Sequence, residues 1–276
     1  MQAILTKDLF PVLDHMLIEL LRSLPEQHWG RQTLAPHWKV KDVAAHLLDG
    51  NLRALSMLRD GYIGAPPANI DTYHDLVSYL NRLNADWVKA MLRLSPVLLT
   101  DWLEKSGSEY SAFLQTLDPF EKSAFSVAWA GEEASLNWFH IAREYTEKWH
   151  HQQQIRHAVG QEAPLYRADL YFPYLDTSMR ALPHHYRKVH AQPGTLIRFI
   201  VTGEGGGEWQ LLREELRWVM IDNRHTAADC VVEIKGKIAW RMFTKGISRE
   251  DAASSIKISG KKALGVPVLS MLAVMA

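Results

Sequence analysis

Along the first 160 residues, apolar positions recur at helical rather than strand spacing. Breakers divide them into candidate helices near Lys7–Leu24, Val40–Arg59, Thr72–Leu94, Pro96–Leu117 and Ser135–Val159. Leu24-Pro25, the stretch from Gly61 to Pro67 and Asp118-Pro119 interrupt the pattern, and Ser135 is placed to cap the last helix. Long helices joined by short links predict an up-and-down four-helix bundle.

After Gly160 the pattern changes. Residues 161–190 hold few periodic segments but carry Tyr166, Tyr171, Phe172, Tyr174, Tyr186 and Pro183, and read as an ordered connector packed on its neighbours. Strand composition follows at Thr195–Thr202, Glu208–Arg213, Leu216–Ile221 and Cys230–Ile234, with a short fifth candidate at Ile256–Ser259. Lys237–Phe243 and Lys261–Val274 return to helical spacing. The fold class expected is therefore an α bundle plus α+β: a bundle over 1–164, a connector over 165–190, and a smaller C-terminal α+β domain over 191–276. The glycine cluster Gly203-Glu204-Gly205-Gly206-Gly207 reads as a hairpin turn. A phosphate loop would open directly into a helix, and the strand-like Trp209-Gln210-Leu211-Leu212 follows instead.

On the helix ending at Val159, Trp138, Ile141, Ala142, Tyr145, Trp149 and Ile155 gather on one side, which should face a core. Arg143, Thr146, His150, Gln153, Gln154 and His157 gather opposite, which predicts solvent exposure for His150 and Arg143 and makes Arg156 as readily a surface residue as an anion contact. Glu147 and His151 fall on the flank between the two sides, four residues apart, and so project together. Five His/acid pairs share that spacing: His15/Glu19, Asp42/His46, His140/Glu144, Glu147/His151 and His225/Asp229. Position alone singles out the fourth. Two readings stay open for it: a partly exposed pair worth about a few tenths of a kcal/mol, or two ligands of a metal ion whose third ligand lies elsewhere.

Composition narrows the classes. The chain has 276 residues, 31 Lys+Arg balanced by 31 Asp+Glu and no run of five like charges, so nothing marks a nucleic-acid surface. The single Cys230, among strand residues, excludes an internal disulfide and thiolate-rich zinc sites and reads as core packing. The first 25 residues lack a signal peptide's apolar run, and the apolar end is too short to span a bilayer. A cytoplasmic protein without membrane or nucleic-acid partners is expected, and a homodimer is left open.

Two motifs carry a resemblance. Trp38-Lys39-Val40-Lys41-Asp42-Val43-Ala44-Ala45-His46-Leu47 and Glu144-Tyr145-Thr146-Glu147-Lys148-Trp149-His150-His151-Gln152-Gln153-Gln154-Ile155-Arg156 resemble the second- and fourth-helix signatures of the DinB-like superfamily, in particular its mycothiol-dependent maleylpyruvate isomerase branch. Leu182-Pro183 and the tail Gly260 to Ala276 are similar to the sterol-carrier-like domain attached in that branch. The resemblance implies His46, Glu147 and His151 as metal ligands. Periodicity disagrees about His46: it lies off the apolar stripe Val40, Ala44, Leu47, Leu48, Leu55 and Leu58, beside Asp42, Asp49 and Arg53, and reads as exposed. A cleft at the bundle's open edge would reconcile the two.

Two imidazoles and one carboxylate suit zinc with an open position, although the ligand type also admits nickel, iron(II) or manganese. With no protein nucleophile in view, the resemblance implies a low-molecular-weight thiol, whether mycothiol, bacillithiol or glutathione, acting on an electrophilic small-molecule substrate by transfer or isomerisation. The catalytic and thiol-binding residues are not assigned. The rival expectation is a non-catalytic carrier of a small apolar ligand with a vestigial metal site, favoured by the apolar end of the chain. A ferritin-like di-iron centre is disfavoured because only Glu147-Lys148-Trp149-His150 has the required spacing, and no His-Glu-x-x-His occurs for a metzincin-type protease.

Overall fold

The computed structural model describes residues 2–64, 70–222, 225 and 227–274. Part of the predicted Gly61 to Pro67 break lies outside them, as do the last two residues. The helices are α1 (Phe10–Ser23), the single turn α2 (Glu26–Trp29), α3 (Val40–Ala54), α4 (Tyr73–Met91), α5 (Pro96–Gln115) and α6 (Asn137–Val159). Each long helix coincides with a predicted one. α3 continues into a π-helical turn at Leu55–Arg59, Ser95 caps α5 by accepting from the Leu98 amide, and Gly160 ends α6 with a positive φ. The expected Ser135 cap is a miss. Leu136 occupies the N-cap position without a side-chain cap, while the Ser135 hydroxyl accepts from the Val127 amide and donates to Glu132.

The bundle is a ring in which α5 packs on α1 and α3, and α6 closes against both. α4 stands outside this ring, docked on α3, where the Trp87 indole donates to the Ala45 carbonyl. Residues 163–186 are helical rather than irregular: a 3-10 turn at Ala163–Tyr166, then α7 (Ala168–Met179) and α8 (Leu182–Tyr186). Pro173 inside α7 and the density of aromatics obscured the helical period there.

The remaining elements are β1 (Leu196–Thr202), β2 (Gly207–Arg213), β3 (Trp218–Ile221), β4 (Cys230–Lys235), α9 (Gly236–Phe243), α10 (Arg249–Ala253), β5 (Ile256–Gly260) and α11 (Lys262–Gly265). The strands form one sheet in the order β3-β2-β1-β4-β5, antiparallel except for the central β1–β4 pair. Lys261–Val274 is not the single helix its spacing suggests. It breaks into α11 and a 3-10 turn at Val266–Ser270, and Val268, Met271 and Ala273 sit in the core.

One hydrophobic cluster joins bundle to sheet. Trp149 on α6 stacks on Tyr174 and Tyr171 of α7 with ring centroids 4.3 and 4.9 Å away, and meets Trp240 of α9 edge-on at 6.1 Å. The glycine turn between β1 and β2 presses on the same place. Gly205 has φ +69°, and a Cβ there would lie 2.8 Å from Tyr171 Cβ and 2.9 Å from the Tyr166 carbonyl oxygen. Gly205→Ala is therefore expected to cost about 2 kcal/mol or more, from left-handed strain plus overpacking. An unchanged urea midpoint would show the contact to be soft.

Candidate metal centre

The second motif lies on α6, whose polar side is not solvated. α1, α3 and α7 surround the helix, so His150 is only 4% exposed and Gln153, Gln154 and Arg156 are buried as well. Each predicted surface residue has been given a partner instead. His150 Nδ1 meets the Thr146 carbonyl at 2.8 Å, Gln153 donates to the Glu162 carbonyl, and Arg156 spends its guanidinium on the Met16 and Gln161 carbonyls. Arg143, also expected in solvent, is largely covered. It donates to Glu144 at 2.5 Å and lies 2.9 Å from His140 Nδ1.

The first motif is built by the entry into α3. Thr33 and Gln32 both donate to the Trp38 carbonyl, and Asp42 accepts from the Lys39 amide at 2.9 Å, so the motif's acid caps the helix. Two turns of α3 then carry His46 to face α6. It is half-buried, not exposed as its place off the apolar stripe suggested, because α6 covers that stretch of α3.

The structure brings the three residues together. One donor atom each from His46, Glu147 and His151 all lie within 4.8 Å of one another. The His46 and His151 ring centroids are 4.7 Å apart, and His151 Nε2 is 3.4 Å from Glu147 Oε2. Donors about 2.1 Å from a shared tetrahedral ion would be roughly 3.4 Å apart. Trp38 covers one side, its ring centroid 4.7 Å from that of His46.

Both ring nitrogens of His151 face acceptors. Nδ1 faces Gln154 Oε1 at 3.0 Å while Nε2 faces the Glu147 carboxylate, and a neutral imidazole has a single hydrogen for two acceptors. With that hydrogen on Nδ1, the Nε2 side facing Glu147 is satisfied by a second proton or by a metal ion held between the two side chains. His46 Nδ1 adds a second unsatisfied atom: it is buried without a hydrogen-bond partner. Burial, then His151, holds the His46 pKa well below its ordinary value, so the ring is neutral and its lone pair available. For Glu147, burial opposes ionisation, but His150 and the hydrogen-bonding contact with His151 outweigh it and bring the carboxyl down to about 2. The donor set thus fits a divalent ion.

Sequence reasoning missed Gln154, which it placed in solvent although its i+3 spacing from His151 was readable. It also gave no role to Trp38. If Gln154 orients His151 for an ion, Gln154→Leu is expected to weaken zinc binding about 10- to 100-fold, as loss of such supporting hydrogen bonds does elsewhere. Competition with a chromophoric chelator measures this, and unchanged affinity would remove Gln154 from the site.

A helical bundle that brings the two motifs onto facing helices, followed by an α+β half, is the arrangement the resemblance to the DinB-like superfamily implied. The chain belongs to the mycothiol maleylpyruvate isomerase N-terminal domain family, whose profile matches residues 11–156, more than half of its length. Its fold is similar to that of a mycothiol-dependent maleylpyruvate isomerase, with TM-score 0.51 at 12% identity over 94% of this chain and 96% of the other. A mutant of the mycothiol-dependent maleylpyruvate isomerase aligns at TM-score 0.49 and 13% identity, again over 94% and 96%. No curated protein matches. Among the described residues, no helix is long and apolar enough to cross a membrane.

Proposed function

We propose that this chain is a metal-dependent enzyme in which a small-molecule thiol attacks an electrophilic small substrate, for transfer or cis–trans isomerisation. The observation that carries the reading is the convergence of His46, Glu147 and His151 from two separate helices. His46, Glu147 and His151 would hold the ion, zinc being the first candidate for two nitrogen donors and one oxygen donor with a position left open. A bound divalent ion would supply Lewis acidity, keeping a thiol deprotonated near neutral pH.

The chain's own residues do the rest. Gln154 fixes the His151 ring and Trp38 covers His46. The sulfur nucleophile has to come from outside, because the single cysteine, Cys230, is buried in β4 and its burial pushes the thiol pKa up. The family name adds mycothiol and maleylpyruvate as the first thiol and substrate to try. Against a carrier role stands the apolar end of the chain, which is used as core rather than left to receive a ligand.

The test incubates the purified protein with mycothiol, bacillithiol or glutathione and a panel of electrophiles that includes maleylpyruvate. Turnover that a chelator stops and zinc restores is expected with at least one thiol. A chain verified to carry one metal ion, yet inert with every thiol, would contradict the proposal.

A further inference from the structure

Of the arginines near the centre, Arg143 and Arg156 are already committed to protein acceptors. Arg53 is not. It lies on α3 seven residues after His46, two helical turns along the same face, with Asp49 between them. Its side chain folds back towards the helix N-terminus, the direction helical side chains favour, and sets Nε 3.1 Å from Asp49 Oδ2. Both side chains therefore share the side of α3 that carries His46. The Asp49 side chain is 7% exposed and that of Arg53 34%, so the carboxylate is buried and the guanidinium reaches towards solvent. The two terminal NH2 groups have no other partner among the described residues.

We propose that Arg53, held by Asp49, is the carboxylate anchor of the metal cleft, binding an anionic substrate end-on through its two terminal NH2 groups while the reacting part lies towards His46. The guanidinium fork matches a planar carboxylate in a bidentate way that an ammonium cannot. Asp49 acts here as a positioning residue. Its negative charge keeps Arg53 over the cleft, and Nε is the edge it occupies, which leaves the fork free.

The inference rests on the metal-centre reading, and the experiment separates the two. Zinc-loaded protein is titrated calorimetrically with maleate and with its neutral diamide, and zinc content is measured independently. Arg53→Gln should keep its zinc, weaken maleate binding at least tenfold and leave diamide binding unchanged. Arg53→Lys, which retains charge and fold but not the fork, should fall between. A wild type that carries no zinc sinks both readings. Zinc-loaded protein in which Arg53→Gln binds maleate within twofold of wild type, or in which wild type does not prefer maleate to the diamide, overturns the role of Arg53 alone.

Discussion

Replacing His46 or His151 by Ala is expected to reduce bound metal from about one equivalent per chain to less than about a tenth. Three protein donors are offered, so each substitution leaves two, and two donors compete poorly with buffer and water for a divalent ion. Loss of a merely supporting hydrogen bond costs about 10- to 100-fold, and loss of a donor should exceed that. The two variants probe different geometry. His151 shares α6 with Glu147, whereas His46 reaches the cluster only because α3 packs on α6. His150→Gln is the control: its ring centroid is 3.9 Å from that of His151, but its Nδ1 is engaged by the Thr146 carbonyl, and it should keep the ion. Elemental analysis of untagged protein reads all three. Full occupancy in His46→Ala would reduce the centre to an α6 pair and remove the basis for the proposed chemistry.

Trp149→Ala is expected to cost about 4 kcal/mol, within the range for deleting a large buried aromatic. The ring has no exposed surface and is held between α7 and α9, so its removal leaves a cavity that rigid neighbours cannot fill. At this chain length the melting temperature should fall by roughly 8–16 °C. Trp149→Phe should cost less, both because it keeps most of the stack and because the buried indole Nε1 has no hydrogen-bond partner to lose. A melting temperature within about 2 °C of wild type for the Ala variant would mean that the bundle and the sheet are held together elsewhere.

Residue pattern was sufficient wherever one periodic signal decided the outcome. The five long helices, the five strands and the glycine hairpin lie where spacing and turn chemistry placed them, because a chain with one dominant period has only one way to bury its apolar side. The Glu147/His151 pair was legible for the same reason, since four residues on a helix fix the relation of two side chains without further information. The 163–186 helices were less legible, because Pro173 and closely spaced aromatics mask a helical period that packing enforces.

What the chain's order of residues could not supply was the surroundings of α6 and α3. Periodicity equates a polar side with solvent, and for a surface helix that holds. α6 is enclosed by three other helices, so its polar side is buried and hydrogen-bonded: His150, Gln153 and Arg156 lie inside, and Gln154 orients a candidate ligand. His46 reads as exposed on its own helix and becomes half-buried only when α6 is laid across it. Local spacing therefore determined which side chains share a helix face, whereas the tertiary packing decided which faces meet, and with them the distance from His46 to His151. The reason is physical: whether a polar side chain is buried depends on what packs against it, and for His46 that is α6, in a distant part of the chain.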